Sequence, residues 1–259
     1  MEIRTEDVIA VIREAAPFFD DEAKAHQITV KGIADYVTEV DKTVEEFLEK
    51  RLKEKYPKIQ FMGEERDNSG IDFNGAVWIL DPVDGTTNLI HDYHHSAISL
   101  GLCENKVMTM GIIYQPYTNE IFYAKRGCGA YLNGKQIHVT KAETLEESLI
   151  SIGTSPYQKE LAERNFRQMQ QTFLRCQDIR RGGSAALDLA YVACGRIDAF
   201  YEYSLKPWDY AAGLLLVEEA GGAVTDYQGD SIRIGEPSQI LASNGTIGTI
   251  LRDEVLNRF

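Results

Sequence analysis

Apolar residues near the N-terminus recur at helical steps: Ile3, Val8, Ile12, Ala15 and Phe19 predict one amphipathic helix. "KGIADYV" (31–37) has no such period and reads as an exposed loop. A second helix is expected from Thr38, with Val40, Val44, Phe47, Leu48 and Leu52 as its apolar stripe. Short strands are expected at 59–62 and 76–80. From 96 to 139 the pattern is β throughout: "SAISLGLC", "KVMTMGIIY", "EIFYAK" and "GAYL", separated by the turns "ENK", "PYTN" and "NGK". That predicts an antiparallel meander closing a first α+β domain over 1–142.

Beyond "SLISIGT" (148–154) strands alternate with helices. Helices are expected at 158–174, 184–194 and 209–220, and strands at 178–181, 197–203, 222–226 and 239–242. Alternation of this kind predicts a three-layer α/β domain over 143–259. No repeat, low-complexity tract or Pro/Gly linker divides the halves, so a tight interface between them is expected.

Composition narrows the function. A chain of 259 residues can bury one large core or two modest ones. With 27 Lys and Arg against 40 Asp and Glu, the net charge of −13 argues against nucleic-acid or anionic-membrane partners. It also requires a local reversal of sign wherever an anionic substrate binds. Cys103, Cys128, Cys176 and Cys194 have no metal-like spacing and read as free thiols of a reducing compartment. "MEIRTEDVIAVIREAAPFF" carries acids where a signal peptide needs an apolar core, and no apolar run reaches the ~18 residues of a spanning helix. A cytoplasmic protein is expected.

The candidate chemistry is acidic. Glu64 and Glu65 follow one expected strand, Asp81 and Asp84 follow the next, Asp209 opens a helix, and Asp41 lies near the start of another. Carboxylates gathered at strand ends cannot all ionise close together unless cations neutralise them. Oxygen-only ligation, including the Val83 carbonyl, is the chemistry of Mg²⁺. Gly85, Thr86 and Thr87 sit where a helix should start, offering free N–H groups to a phosphate. Metals beside a phosphate cradle describe phosphate-ester hydrolysis.

Each residue also has a plainer reading. "DPVDG" suits an ordinary turn, Asp41 a capping box with Thr38, and Asp209 a helix cap after Pro207. An EF-hand over 81–92 fails, because Val83 and Gly85 stand at its third and fifth positions. The "HDYHH" histidines (91–95) lack zinc partners and read as structural or rim residues.

Taken together, "GEE", "WILDPVDGTTN" and "WDYAAGLLLVEEAGG" resemble the inositol monophosphatase family over essentially the whole chain. The resemblance implies the αβαβα sandwich of the inositol monophosphatase and fructose-1,6-bisphosphatase type, Mg²⁺ dependence, lithium sensitivity and a homodimer. It implies that Glu64, Asp81 and the Val83 carbonyl hold one cation, that Asp81, Asp84 and Asp209 hold a second, and that Glu64 borders a weaker third. Thr86, backed by Asp41, would orient the attacking water, with no phosphoenzyme intermediate. The Gly85 and Thr86 amides would hold the phosphate, with Lys31 close by in a mobile loop. "RRGGSAALDLA" would line the pocket through Gly183, Ser184 and Ala185, and Glu202 would accept hydrogen bonds from ring hydroxyls. The plainer alternative for Glu202 is an exposed strand-end acid.

The substrate is less determined. A small phosphorylated metabolite is expected, with inositol 1-phosphate leading. Lys206 is a specificity candidate, since a lysine there would suit a second phosphate, as in NADP(H) or fructose 1,6-bisphosphate; a solvated loop lysine is the alternative. "IHDYHH" departs from the family's usual His-x-Phe-Pro. A regulatory binding protein that keeps the fold without catalysis is the remaining reading, and it sits poorly with a full acid set.

Overall fold

Two sheets organise the chain in the computed structural model, which describes residues 3–258. The first half supplies α1 (Thr5–Arg13), α2 (Glu22–Ala25), β1 (Ile28–Gly32), β2 (Asp35–Thr38), α3 (Glu39–Lys55), β3 (Gln60–Gly63), β4 (Ala76–Asp84) and the short α4 (Thr86–Ile90). The meander follows as β5 (Ala97–Glu104), β6 (Val107–Gln115), β7 (Glu120–Lys125), β8 (Ala130–Leu132) and β9 (Lys135–Ile137). The second half supplies β10 (Leu149–Ile152), α5 (Ala162–Phe173), β11 (Asp178–Arg180), α6 (Ala185–Ala193), β12 (Ala199–Leu205), α7 (Pro207–Glu219), β13 (Ala223–Thr225), β14 (Ser238–Ser243) and α8 (Thr246–Leu251).

β3 to β9 form a seven-stranded sheet in chain order, parallel only at β3–β4. The five-stranded sheet has the order β11-β10-β12-β14-β13, with β14 antiparallel to both neighbours. α1 and α3 cover the outer face of the first sheet, where Val44, Leu48 and Leu52 meet Trp78, Leu80 and Ile112. α6 and α7 lie between the sheets in one continuous core, with Leu189 and Leu216 packed among Ile113, Phe122, Phe200 and Ala242. Being covered on both sides, these helices are apolar nearly all round. α7 approaches β6 at backbone distance: a Cβ on Gly111 would stand 2.4 Å from the Ala212 carbonyl oxygen. α8 closes the far side with Ile247 and Leu251 on Tyr201 and Leu241, and α5 joins it there through Met169. The layers run αβαβα.

Three local expectations need correction. The first helix does not run to Phe19: α1 stops at Arg13, and Pro17 starts a 3₁₀ turn over Ala16–Asp20. Proline lacks the N–H and its ring clashes with the carbonyl four residues back. The 31–37 segment is not a loop but part of the β1–β2 hairpin. All of β1 is exposed, so no buried face imposes the alternation that marks a strand. Finally, β4 does not stop before the aspartates; it carries Asp81, Pro82, Val83 and Asp84 within it.

Candidate active site

The register of β4 against β5 breaks between Asp81 and Asp84, where Pro82 has no N–H to give the ladder. In a regular strand residues three apart face opposite sides; the irregularity lets both carboxylates turn to one side. There they meet Asp209 from α7, and the three offer oxygens within 4.8 Å of one another.

Each acid is also held by neutral donors. Asp81 Oδ1 accepts from the Val83 N–H at 3.0 Å. Asp84 Oδ2 accepts from the Ser184 hydroxyl and from the Ala186 N–H at 2.9 Å, both at the start of α6. Asp209 Oδ2 accepts the Lys206 N–H at 2.7 Å, closing the first turn of α7. Asp41 Oδ2 accepts from the Thr38 N–H at 2.8 Å and Thr38 Oγ1 at 2.5 Å, while its Oδ1 accepts from Thr86 Oγ1 at 2.9 Å. For Asp41 and Asp209 the capping reading is therefore correct and does not exclude a second role. The Thr86 hydroxyl also lies 3.2 Å from the Val83 carbonyl oxygen.

Glu64, just past β3, stands slightly apart and is paired with Lys31. Lys31 Nζ lies 3.3 Å from Glu64, 2.8 Å from Glu65 and 3.6 Å from Asp35. Burial opposes the lysine's charge, but these three acids outweigh it and raise its pKa.

One cation does not balance this site. Burial, reinforced by neighbouring carboxylates, holds Asp81 and Asp209 well above the usual carboxylate range. Burial pushes Asp41 and Asp84 up to about 6, against the pull of their hydrogen bonds. Glu64 rises to about 8 from burial, with Lys31 pulling it down and Glu65 and Asp41 pushing it up. Buried carboxylates at this density fit a divalent cation with oxygen ligands.

Glu64, Asp84 and Asp209 open onto a cleft of about 690 Å³ between the halves. Gly85, Thr86, Gly183, Ser184, Ala185, Glu202 and Lys206 all line it. Gly85 (φ 93°) caps α4 in the left-handed region, and a Cβ there would meet the His95 and Gly183 carbonyl oxygens at 3.1 and 3.2 Å. Glu202 is buried at 8% exposure, so the exposed-acid alternative fails; its Oε1 accepts from the Ser155 N–H at 2.7 Å. Burial, opposed by that bond, brings it to about 7. The Lys206 side chain is exposed at the rim.

Three further site residues, Asn88, Arg181 and Asp188, lie inside "WILDPVDGTTN" and "RRGGSAALDLA", and only their contacts across the chain reveal what they do. Asn88 Nδ2 donates to the His95 carbonyl at 2.7 Å and the Gly182 carbonyl at 3.0 Å, tying the two walls together. Arg181 reaches over Gly183, whose added Cβ would stand 2.4 Å from its Nη1, and bonds Thr154 Oγ1. Asp188 lies buried in the cleft wall with Ser151 Oγ at 2.7 Å, and burial pushes it to about 8. The histidines divide: His91 lines the cleft, His94 stacks on Tyr117, and the half-buried His95 ring packs near Tyr191.

Five alternating layers with buried acids at the inner strand ends, beside a glycine-capped helix start, define a phosphomonoester hydrolase. Residues 2–256 match the sequence profile of the Inositol monophosphatase family, and the chain belongs to that family. An "Inositol monophosphatase" from Dictyostelium discoideum is 38% identical over 93% of this chain and 91% of its own. A "Nus factor SuhB" from Xylella fastidiosa is 40% identical over 88% of this chain and 84% of its own. The solved extragenic suppressor protein suhB from Bartonella henselae superposes with a TM-score of 0.88 at 34% identity, covering 96% of both chains.

Proposed function

We propose that the chain hydrolyses myo-inositol 1-phosphate to myo-inositol and phosphate in the presence of Mg²⁺. The observation that carries this reading is the pairing of two unlike regions in one cleft. Asp84 and Asp209 of the three converging aspartates line it, and so does Glu202, buried in the wall where a substrate alcohol would sit.

Glu64, Asp81 and the Val83 carbonyl would hold one ion, Asp81, Asp84 and Asp209 a second, and Glu64 would border a weaker third. When bound, Mg²⁺ supplies a lowered pKa for water and positive charge for the leaving oxygen. The chain's own residues do the positioning. The Thr86 hydroxyl donates its hydrogen bond to Asp41, which leaves its oxygen lone pairs to accept a hydrogen bond from the attacking water. Amides of Gly85 and Thr86 would hold the phosphate. Lys31 would supply further positive charge beside Glu64. Gly183, Ser184 and Ala185 would line the pocket, with Ser184 also steadying Asp84.

On this reading 1–142 carries most of the ion ligands, while 143–259 carries the alcohol pocket and Asp209. A lithium-sensitive, cytoplasmic homodimer belongs to the same proposal. No helix among the described residues is long and apolar enough to cross a membrane.

Cations at the rim, Arg181 and Lys206, favour a second reading: the same chemistry on NADP(H) or fructose 1,6-bisphosphate. The Xylella relative's name supports a third, a regulatory role. A phosphate-release assay with and without Mg²⁺, on myo-inositol 1-phosphate, NADP and fructose 1,6-bisphosphate, decides among them by kcat/KM. Preference for the inositol ester is expected. Preference for a doubly phosphorylated substrate moves the assignment to the second reading, and no Mg²⁺-dependent release leaves the regulatory one.

A further inference from the structure

The cleft wall between β10 and α5 is built around a residue to which none of the roles above is given. Ser155 lines the cleft, is only 2% exposed, and sits at φ 45°. That left-handed conformation is uncommon for any residue except glycine, asparagine and aspartate. It turns the Ser155 N–H onto Glu202 Oε1 at 2.7 Å. The Ser155 Oγ is itself buried and finds no protein partner in hydrogen-bonding geometry.

The arrangement is fixed from behind. A Cβ on Gly153 would stand 2.1 Å from the Glu202 carboxylate, so glycine there is what lets the acid reach its place. Asn165 Nδ2 anchors the Thr154 carbonyl at 3.0 Å. Gln158 Oε1, in the same wall, is a second buried polar atom without a protein partner.

A buried hydroxyl and a buried carboxylate side by side are satisfied by one kind of group. A hydroxyl donates to the carboxylate and accepts from the serine. An apolar group would leave the Ser155 hydroxyl unpaired, and an anion would face Glu202 and Asp188 together.

We propose that Ser155 and Glu202 read a hydroxyl on the alcohol part of the substrate as a pair, which makes Ser155 a specificity-determining residue that selects polyol phosphates. This rests on the phosphatase reading above.

The test compares Ser155→Ala and Ser155→Gly with the wild type, all with Mg²⁺, on myo-inositol 1-phosphate and on phenyl phosphate. Phenyl phosphate has a ring but no hydroxyl. Both variants should raise KM for the inositol ester about tenfold, the scale of one hydrogen bond, with kcat within about twofold. On phenyl phosphate, kcat/KM should stay within about twofold of wild type. Glycine accepts φ 45° without strain, so agreement between the variants assigns the effect to the hydroxyl. Equal losses on both substrates, an effect in the alanine variant alone, or no change on the inositol ester would each overturn the proposal. A wild type that cleaves neither substrate overturns the inositol-phosphate reading, and this inference with it.

Discussion

Thr86 and Asp41 are joined by one hydrogen bond, 2.9 Å from hydroxyl to carboxylate, across 45 residues of chain. The same carboxylate caps α3 through Thr38. One acid thus serves the start of a helix and the candidate site, and the two duties can be separated by mutation. Thr86→Val keeps the shape and removes the hydroxyl; phosphate release should fall about 10²-fold or more, with Tm nearly unchanged. Asp41→Ala should lose activity and also about 1 kcal/mol of stability with the cap. Kinetics and thermal melts on both variants check this. A Thr86→Val enzyme of normal turnover contradicts it.

Stability of the metal-free protein should depend on pH in the direction opposite to ordinary acid denaturation. Asp41 and Asp84 titrate near 6, Glu202 near 7 and Glu64 near 8, all raised chiefly by burial. A carboxyl raised by folding contributes stability that is complete below its unfolded pKa of about 4 and lost as pH climbs through the folded value. Without divalent ions, Tm should fall between about pH 5.5 and about pH 8 on account of these groups. Mg²⁺ binds the ionised form, so the Tm gain on adding it should be larger at the higher pH. Melts with Mg²⁺ and with EDTA at both values test this; equal gains would count against cation binding by these acids.

Asp209→Asn offers a sharper contrast. The amide oxygen can still accept the Lys206 N–H, so the α7 cap survives. One buried negative charge disappears from the cluster. At about pH 8 the metal-free variant should melt above metal-free wild type, gain little from Mg²⁺, and release essentially no phosphate. A variant that still gains wild-type stability from Mg²⁺ would take Asp209 out of the ligand set.

Lys206 is an exposed cation at the cleft rim, and the bonds it makes, through its N–H and its carbonyl to Asp209, are backbone ones. Lys206→Ala should leave kcat/KM for myo-inositol 1-phosphate within about twofold. A selective loss on fructose 1,6-bisphosphate or NADP would instead give the lysine a second phosphate to hold.

How much of this could be read before the structure depended on whether a signal is local. Thr38 with Asp41, and Pro207 with Asp209, announce their helix starts within four residues, and the meander from β5 to β9 shows its turns at regular intervals. The acids stood out because their types are costly at strand ends. The position of α6 and α7 between two sheets leaves only an all-round apolar helix as its trace. Contacts that shape the site across the chain left none: Ser184 on Asp84, Asn88 on Gly182, and the fit of Gly153 to Glu202 each join residues with no shared periodicity. The β1–β2 hairpin was illegible for a different reason, since a strand exposed on both faces has no pattern to display.

The hold of Ser184 and Ala186 on Asp84 spans about a hundred residues, and Asp209 comes later still. A nascent chain that has emerged only as far as the seven-stranded sheet carries most of the acids but nothing to complete them. With the proposed ligand set, hydrolysis requires the second half to have folded onto the first. A chain in which the two halves have not met is then inert toward phosphate esters, and turnover is in itself a report that the two halves have assembled.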